Sequence, residues 1–344
     1  MDLSKYEISS AFKGLNCSIF RLEDAKNIYV YNNEWNNTSR FLSWMIEFGY
    51  LPTDKTKWSD SMFKLYSEYF GMVEARLGSN NEFPLETLEK KQANVVCADI
   101  SRYMSTFLRM SEALSLPKEI LGKAQFHCYR IIAIMCYKKK GFRYTQGYDR
   151  YIMICYLLSM CFCQQTGMSS SFAEASAFYL SYSLIEMANV PSLLESPPVT
   201  EKHFQKMDEE IFKLCPSTAK ILHSSGHQSI YFALRWEILM FADEHDIDEI
   251  LLLWDQIIYR KNRFQDFKFA LCLAHVIQVP LANSNEIMVE KIQNFRDWDH
   301  HKLIFDALSF LKKPNILMRR QTHIAIVLLV LMLIIYFING FFKK

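Results

Sequence analysis

The sequence predicts an all-α protein, and three observations carry that expectation. Apolar residues recur with a period near 3.6 from residue 35 to 312, no strand–turn–strand series or internal repeat interrupts them, and half of the 344 residues are hydrophobic. With 15% aromatics and only 10 glycines and 9 prolines, the composition is that of a packed globular chain and excludes intrinsic disorder.

From Lys118 to Lys140, apolar positions at Leu121, Ala124, Cys128, Ile131, Ile132 and Met135 predict one helix. Its three closing lysines complement the C-terminal dipole, and Gly141 is placed to cap it. A second stripe runs through Tyr148, Tyr151, Ile152, Cys155, Leu158 and Phe162, and a third through Ile247, Ile250, Leu251, Trp254, Ile257 and Ile258. Both read as amphipathic helices on a core. Breaks are expected at Leu116-Pro117, across Pro191 to Pro198, at Cys215-Pro216 and at Pro280, because a residue preceding proline avoids helical backbone angles. The proline-rich segment is expected to separate two helical lobes. Residues 1–34, which lack a clear period, read as an N-terminal extension of a helical domain over 35–311.

Charge and glycine usage narrow the function. Lys and Arg number 39 against 37 Asp and Glu, a net +2, so the basic surplus expected of a nucleic-acid binder is missing. Neither GxxxxGK[ST] nor GxGxxG occurs, which argues against a nucleotide site belonging to this chain. The nine cysteines are scattered singly through apolar stretches and are expected to be reduced thiols in cytosol. Cys155, Cys161 and Cys163 lack a second ligand pair at metal spacing and read as core. The sequons at Asn16, Asn36 and Asn37 are expected to stay unused on that side of a membrane.

Composition changes near the end. Ile324 to Ile338 is unbroken apolar sequence, and no charge appears across residues 324–342, a run of 19 residues. As a helix this spans roughly 28 Å, close to the ~30 Å hydrocarbon core of a bilayer. A single transmembrane helix over 324–342 is expected, preceded by a basic juxtamembrane linker, 312–323, that carries Lys312, Lys313, Arg319 and Arg320 and keeps the upstream domain in cytosol.

Two short segments stand out from the amphipathic background. In Val96-Cys97-Ala98-Asp99-Ile100-Ser101-Arg102, Asp99 and Arg102 lie three apart, on one helical face. In Tyr144-Thr145-Gln146-Gly147-Tyr148-Asp149, glycine can supply an unusual backbone angle and Asp149 can cap the following helix. Taken singly, these are an exposed ion pair and a capped turn. Together and in this order, they resemble the IxxDxxR and YxQG motifs of TBC-domain Rab GTPase-activating proteins. Val96, Asp99 and Arg102 match the first motif, and Tyr144, Gln146 and Gly147 the second. Ile250 to Asp255 looks like the family's later helix ending in Trp-Asp, and Trp58 lies near the place of an early tryptophan.

The resemblance implies a two-lobed helical TBC domain that accelerates GTP hydrolysis by a Rab-family small GTPase in its GTP state. Arg102 would be the arginine finger and Gln146 the glutamine finger, both supplied in trans. Asp99 would orient Arg102, while Tyr144 and Gly147 would fix the Gln146 loop. No cofactor or metal of the chain's own is implied, since GTP and Mg²⁺ belong to the partner. With the C-terminal anchor, the sequence is most similar to the subgroup on the endoplasmic reticulum that serves early secretory traffic. The chain departs from the family at Tyr103, where Thr or Ser usually follows the finger arginine. A second reading, a TBC-like membrane adaptor that binds a Rab without stimulating it, rests on that residue. The segments Ala233 to Glu237 and Asp243 to Asp248 match the family only in general pattern.

Other constellations read as structural. His223 and His227 flank Ser224-Ser225-Gly226 without a helix to align them, and Asp243 to Glu249 lacks calcium-loop spacing and reads as a solvated turn. His300 and His301 read as surface residues rather than ligands.

Overall fold

The computed structural model describes residues 3–15, 35–78, 81–281 and 288–312, and all regular structure in them is helical. The expected transmembrane segment 324–342, most of its basic linker and the Asn16 sequon lie outside the described residues. No described helix is long and apolar enough to cross a membrane.

The first lobe contains α1 (Lys5–Lys13), α2 (Asn37–Glu47), α3 (Trp58–Leu77), α4 (Lys90–Ala113), α5 (Ala124–Lys138), α6 (Tyr148–Thr166) and α7 (Ser170–Ala188). Its centre is α6, which packs against α2, α4, α5 and α7. The sequence explains the position: from Tyr148 to Cys163 nearly every side chain of α6 is buried, and a helix apolar on all faces belongs inside. A one-turn helix, α8 (Val190–Leu193), then leads to the second lobe. That lobe holds α9 (Pro197–Leu214), α10 (Pro216–Ser224), α11 (Ile230–Leu239), α12 (Ile247–Tyr259), α13 (Phe264–Gln278), α14 (Met288–Asn294) and α15 (His300–Lys312). Here α13 is central, packed against α9, α11, α12 and α15. Prolines open α9 and α10, the first helical turn being where a missing N–H costs least.

Three expectations are adjusted. Residues 3–15 do contain a helix: Ser4 and Glu7 form a reciprocal capping box, with the Ser4 N–H donating to Glu7 Oε2 at 2.7 Å and the Glu7 N–H to Ser4 Oγ at 3.2 Å. The helix is joined to the core through buried Ile8 and through Phe12, whose ring lies 5.6 Å from that of Phe162. The helix expected from Lys118 is divided. A 3₁₀ turn, Lys118–Leu121, is separated by Gly122 and Lys123 from α5, which ends at Lys138; Gly141, at φ +85°, lies in the following turn. Asn36 and Asn37, read only as unused sequons, build the start of α2. Asn36 Oδ1 accepts the Ser39 N–H at 3.0 Å, and Asn37 Oδ1 accepts Arg40 Nη1 at 2.5 Å.

The lobes meet at a buried carboxylate. Asp255 on α12 accepts from Arg40 Nε at 2.9 Å and from Trp44 Nε1 at 2.7 Å, both on α2, and from Trp35 Nε1 at 3.2 Å. Burial pushes the Asp255 carboxyl pKa up, opposed by the Arg40 charge and the indole donors. Truncating one partner would strand a buried charge. Arg40→Ala is expected to lower stability by about 3–5 kcal/mol, read as a shift of the urea midpoint, whereas Lys57→Ala, which loses only an exposed ion pair with Asp54, is expected to leave it nearly unchanged.

Candidate functional site

Helix α4 presents a buried stripe of Val96, Asp99, Ile100, Tyr103, Phe107 and Met110. Asp99 sits on that stripe with its side chain only 2% exposed, while Arg102, one turn on, emerges at 66%. Arg102 Nη2 donates to Asp99 Oδ1, and Arg102 Nε to the Ala98 carbonyl at 3.2 Å. An exposed cation is thus held from beneath by a buried anion.

The α5–α6 loop brings the second motif to the same carboxylate. Gln146 Nε2 lies 3.4 Å from Asp99 Oδ1, a long contact, and the Tyr144 hydroxyl lies 3.0 Å from Asp99 Oδ2 and 2.9 Å from Asp149 Oδ1. One phenolic hydrogen cannot serve both carboxylates fully at once. Burial drives the pKa of the Asp149 carboxyl up, against the pull of Arg150, and raises that of the Tyr144 phenol. The loop turns into α6 at Gly147, φ +103°, a backbone conformation disfavoured for residues with a Cβ. A Cβ there would also lie 2.4 Å from Leu239 Cδ2 on the other lobe. Gly147 itself occupies the cap position of α6, so Asp149 does not cap the helix; its carboxylate is engaged by Tyr144 and Arg150 instead.

Arg150 closes the far side. It pairs with Asp149, donates from Nε to Asp243 Oδ1 at 3.2 Å across the lobes, and lies over the Tyr103 ring at 4.0 Å. Tyr103, the departure from the family pattern, is 5% exposed, with its hydroxyl toward Met110 Sδ at 3.7 Å. Its bulk supports Arg150 and leaves the Arg102 guanidinium exposed. The result is a groove of about 1350 Å³ between the lobes, to which Asp99, Arg102, Gln146 and Gly147 contribute one wall and α11 with the α11–α12 loop the other.

All five residues singled out in the two motifs are therefore together: Asp99, Arg102, Tyr144, Gln146 and Gly147 form one hydrogen-bonded or contiguous unit at this groove. The pairing of Arg150 with Asp243 has no sequence signal, Asp243 being noted only as the start of an acidic segment. Arg150 follows Asp149 directly, but its partner is 93 residues away and no spacing announces it. The Asp243–Glu249 segment is not a simple solvated turn, since Glu244 is buried, paired with Arg235, and its carbonyl accepts Trp298 Nε1 at 3.1 Å. Nor is His300 a plain surface residue: it bonds His245 at 2.8 Å and has an 11% exposed side chain. His245, Glu249 and His300 form the one grouping of three potential metal ligands among the described residues.

The model of the Rab-GTPase-TBC domain family matches residues 40–281, more than half of the chain. The chain belongs to this family. Its fold is similar to that in the crystal structure of the Ypt/Rab-GAP domain of Gyp1p, with a TM-score of 0.63 over 90% of this chain and 98% of that one, at 13% sequence identity. No curated protein matches the chain in sequence. Within this TBC domain, both matched motifs lie in the family region and on the inter-lobe groove.

Gly147→Ala tests the loop. The positive φ is expected to cost about 1–3 kcal/mol, measured by denaturant unfolding. In a double-mutant cycle with Leu239→Ala, which carries its own cavity cost, the coupling is expected to report the steric contact at 2.4 Å and to leave the backbone cost in place.

Proposed function

We propose that this TBC domain receives a Rab-family GTPase in its GTP state over the inter-lobe groove and supplies Arg102 and Gln146 to its nucleotide site in trans. The observation that carries the reading is the shared anchoring of both side chains on buried Asp99 while Arg102 remains exposed. A guanidinium offered in trans neutralises charge on the transferring phosphoryl group, and a side-chain amide can orient the attacking water. Donors positioned in advance contribute most, because they need not reorganise during the reaction. The contacts here are suited to that use. The Gln146 bond is long and releasable, and Asp99 keeps Tyr144 when Arg102 swings outward. Asp99, Tyr144 and Gly147 are positioning residues in this scheme. The chain carries no phosphate loop, and GTP and Mg²⁺ come with the partner.

The 19 uncharged residues at 324–342 support an anchor in the bilayer with the TBC domain in cytosol, and the early secretory pathway, beginning at the endoplasmic reticulum, is the membrane we propose. Deleting residues 321–344 is expected to release a fluorescent fusion from membranes; unchanged membrane association would remove this part of the proposal.

The catalytic reading is tested by phosphate release from a panel of GTP-loaded Rab proteins mixed with the full chain in detergent. Arg102→Ala is expected to reduce stimulated hydrolysis by about 10³–10⁵-fold, and Arg102→Lys to fail to restore it, since a point charge cannot reproduce the guanidinium fork. Gln146→Ala is expected to abolish stimulation while Rab binding persists. A wild-type chain that binds a Rab without stimulating any member of the panel would establish the adaptor function instead.

A further inference from the structure

Away from both motifs, three imidazoles form a chain whose hydrogens can be assigned by counting. His275 Nδ1 lies 2.7 Å from the Leu271 carbonyl oxygen, which can only accept, so Nδ1 carries a hydrogen and Nε2 of the neutral ring offers a lone pair. His245 Nε2, 2.9 Å from His275 Nε2, must then be the donor, which leaves His245 Nδ1 as a lone pair. His300 Nε2, at 2.8 Å from His245 Nδ1, donates in turn, so the remaining His300 Nδ1 lone pair faces Glu249 Oε1 at 3.3 Å. These two lone pairs face each other with no hydrogen donated between them, an arrangement that a cation shared by the cluster would relieve.

We propose that His245, Glu249 and His300 bind one divalent cation of the zinc class. Their ligand atoms all lie within 4.8 Å of one another, and two imidazoles with one carboxylate suit that chemistry, with metal–ligand distances of roughly 2.0–2.2 Å. Binding requires the His245–His300 hydrogen bond to break and the His300 ring to turn, so that one of its nitrogens and Glu249 Oε1 meet the His245 Nδ1 lone pair at one ion. Two of the three ligands are already held from behind, as metal ligands are by their outer partners. His245 is oriented by His275, itself fixed to the Leu271 carbonyl, while Glu249 Oε2 accepts the Asp246 N–H at 3.1 Å and leaves Oε1 free to ligate. Glu249, 40% exposed, provides an entrance and an open coordination position. Asp246 and Asp248 add negative charge beside it, and nearby Arg296 is paired with Glu244 at 3.5 Å. Such an ion would tie α15 to the first turn of α12 beside the groove wall that His245 lines. This places a metal site where the sequence indicated none.

The test uses chelator-treated full chain titrated with Zn²⁺ and followed by equilibrium binding and thermal unfolding. One equivalent is expected to bind saturably and to raise Tm with increasing free Zn²⁺. His300→Ala and Glu249→Gln, the latter preserving the helix-capping amide contact, are expected to weaken binding by more than the roughly 10–100-fold that loss of an outer partner costs. Absence of saturable binding, or binding unchanged in both variants because thiols hold the ion, overturns the site. Should either variant fail to fold, X-ray absorption of the Zn²⁺-loaded wild type decides. A shell of nitrogen and oxygen alone supports the assignment, whereas sulfur at about 2.3 Å refutes it.

Discussion

The buried carboxylate of Asp255 is the constraint on which the groove depends. It is held on α12 and takes donors from α2 and from Trp35 upstream of it, so the relative placement of the two lobes is set by a few directional bonds rather than by apolar contact alone. Hydrophobic burial is non-directional and tolerates sliding between helices. Three donors converging on one carboxylate do not, because displacement leaves a charge buried without its partner. The same helix carries Trp254, whose indole donates to the Met240 carbonyl at 2.9 Å. Met240 and Phe241 both have positive φ, a strained ending for α11 that this contact helps to hold beside the groove.

The device recurs within each lobe. Glu174 on α7 gathers Arg130, the Tyr69 hydroxyl and His127 in the first lobe, and Glu237 on α11 pairs with Lys268 at 3.0 Å and His203 at 2.5 Å in the second. Asp99 is the member of the series that lies at the groove. It too is buried and shared among several donors, but one of those donors, Arg102, is exposed on the groove. The site is therefore an adaptation of the framework's own way of fixing helices, in which one partner has been left at the surface. Tyr103 shows how the framework absorbs a departure from the family pattern: the ring turns inward under Arg150 and becomes part of the wall.

Much of this was legible in the sequence because it is local. The stripes of α6 and α12 follow from helical periodicity, and the Asp99–Arg102 pair from a spacing of three. Gly147 was legible because a positive φ before a helix selects glycine, although its closeness to Leu239 was not. Helix α1 was missed: Ser4-x-x-Glu7 is a capping signal, but its short apolar face gave no strong period. The Lys118 stripe misled because a 3₁₀ turn and an α-helix can share an apolar phase over one turn. What sequence could not provide is the set of long-range partners. Trp254-Asp255 was conspicuous, yet nothing near it identifies Arg40 or Trp44, and Trp58, the tryptophan singled out early in the chain, instead donates to the Pro52 carbonyl at 2.7 Å. His300 looked like a surface residue for the same reason: its partner His245 lies 55 positions away.

The separation between Arg40 and Asp255, 215 positions, also has a meaning in time. At about 5–20 residues per second, synthesis needs roughly 10–40 s to pass from one to the other. For that interval α2 and Trp35 just upstream have emerged before the carboxylate that joins them to the second lobe exists. The first lobe can collapse around α6 while its outer helix remains without its final anchor, and the chain acquires its inter-lobe geometry only when α12 arrives. The groove is therefore a late product of synthesis: its two motifs, complete by residue 147, wait for a carboxylate made more than a hundred residues later.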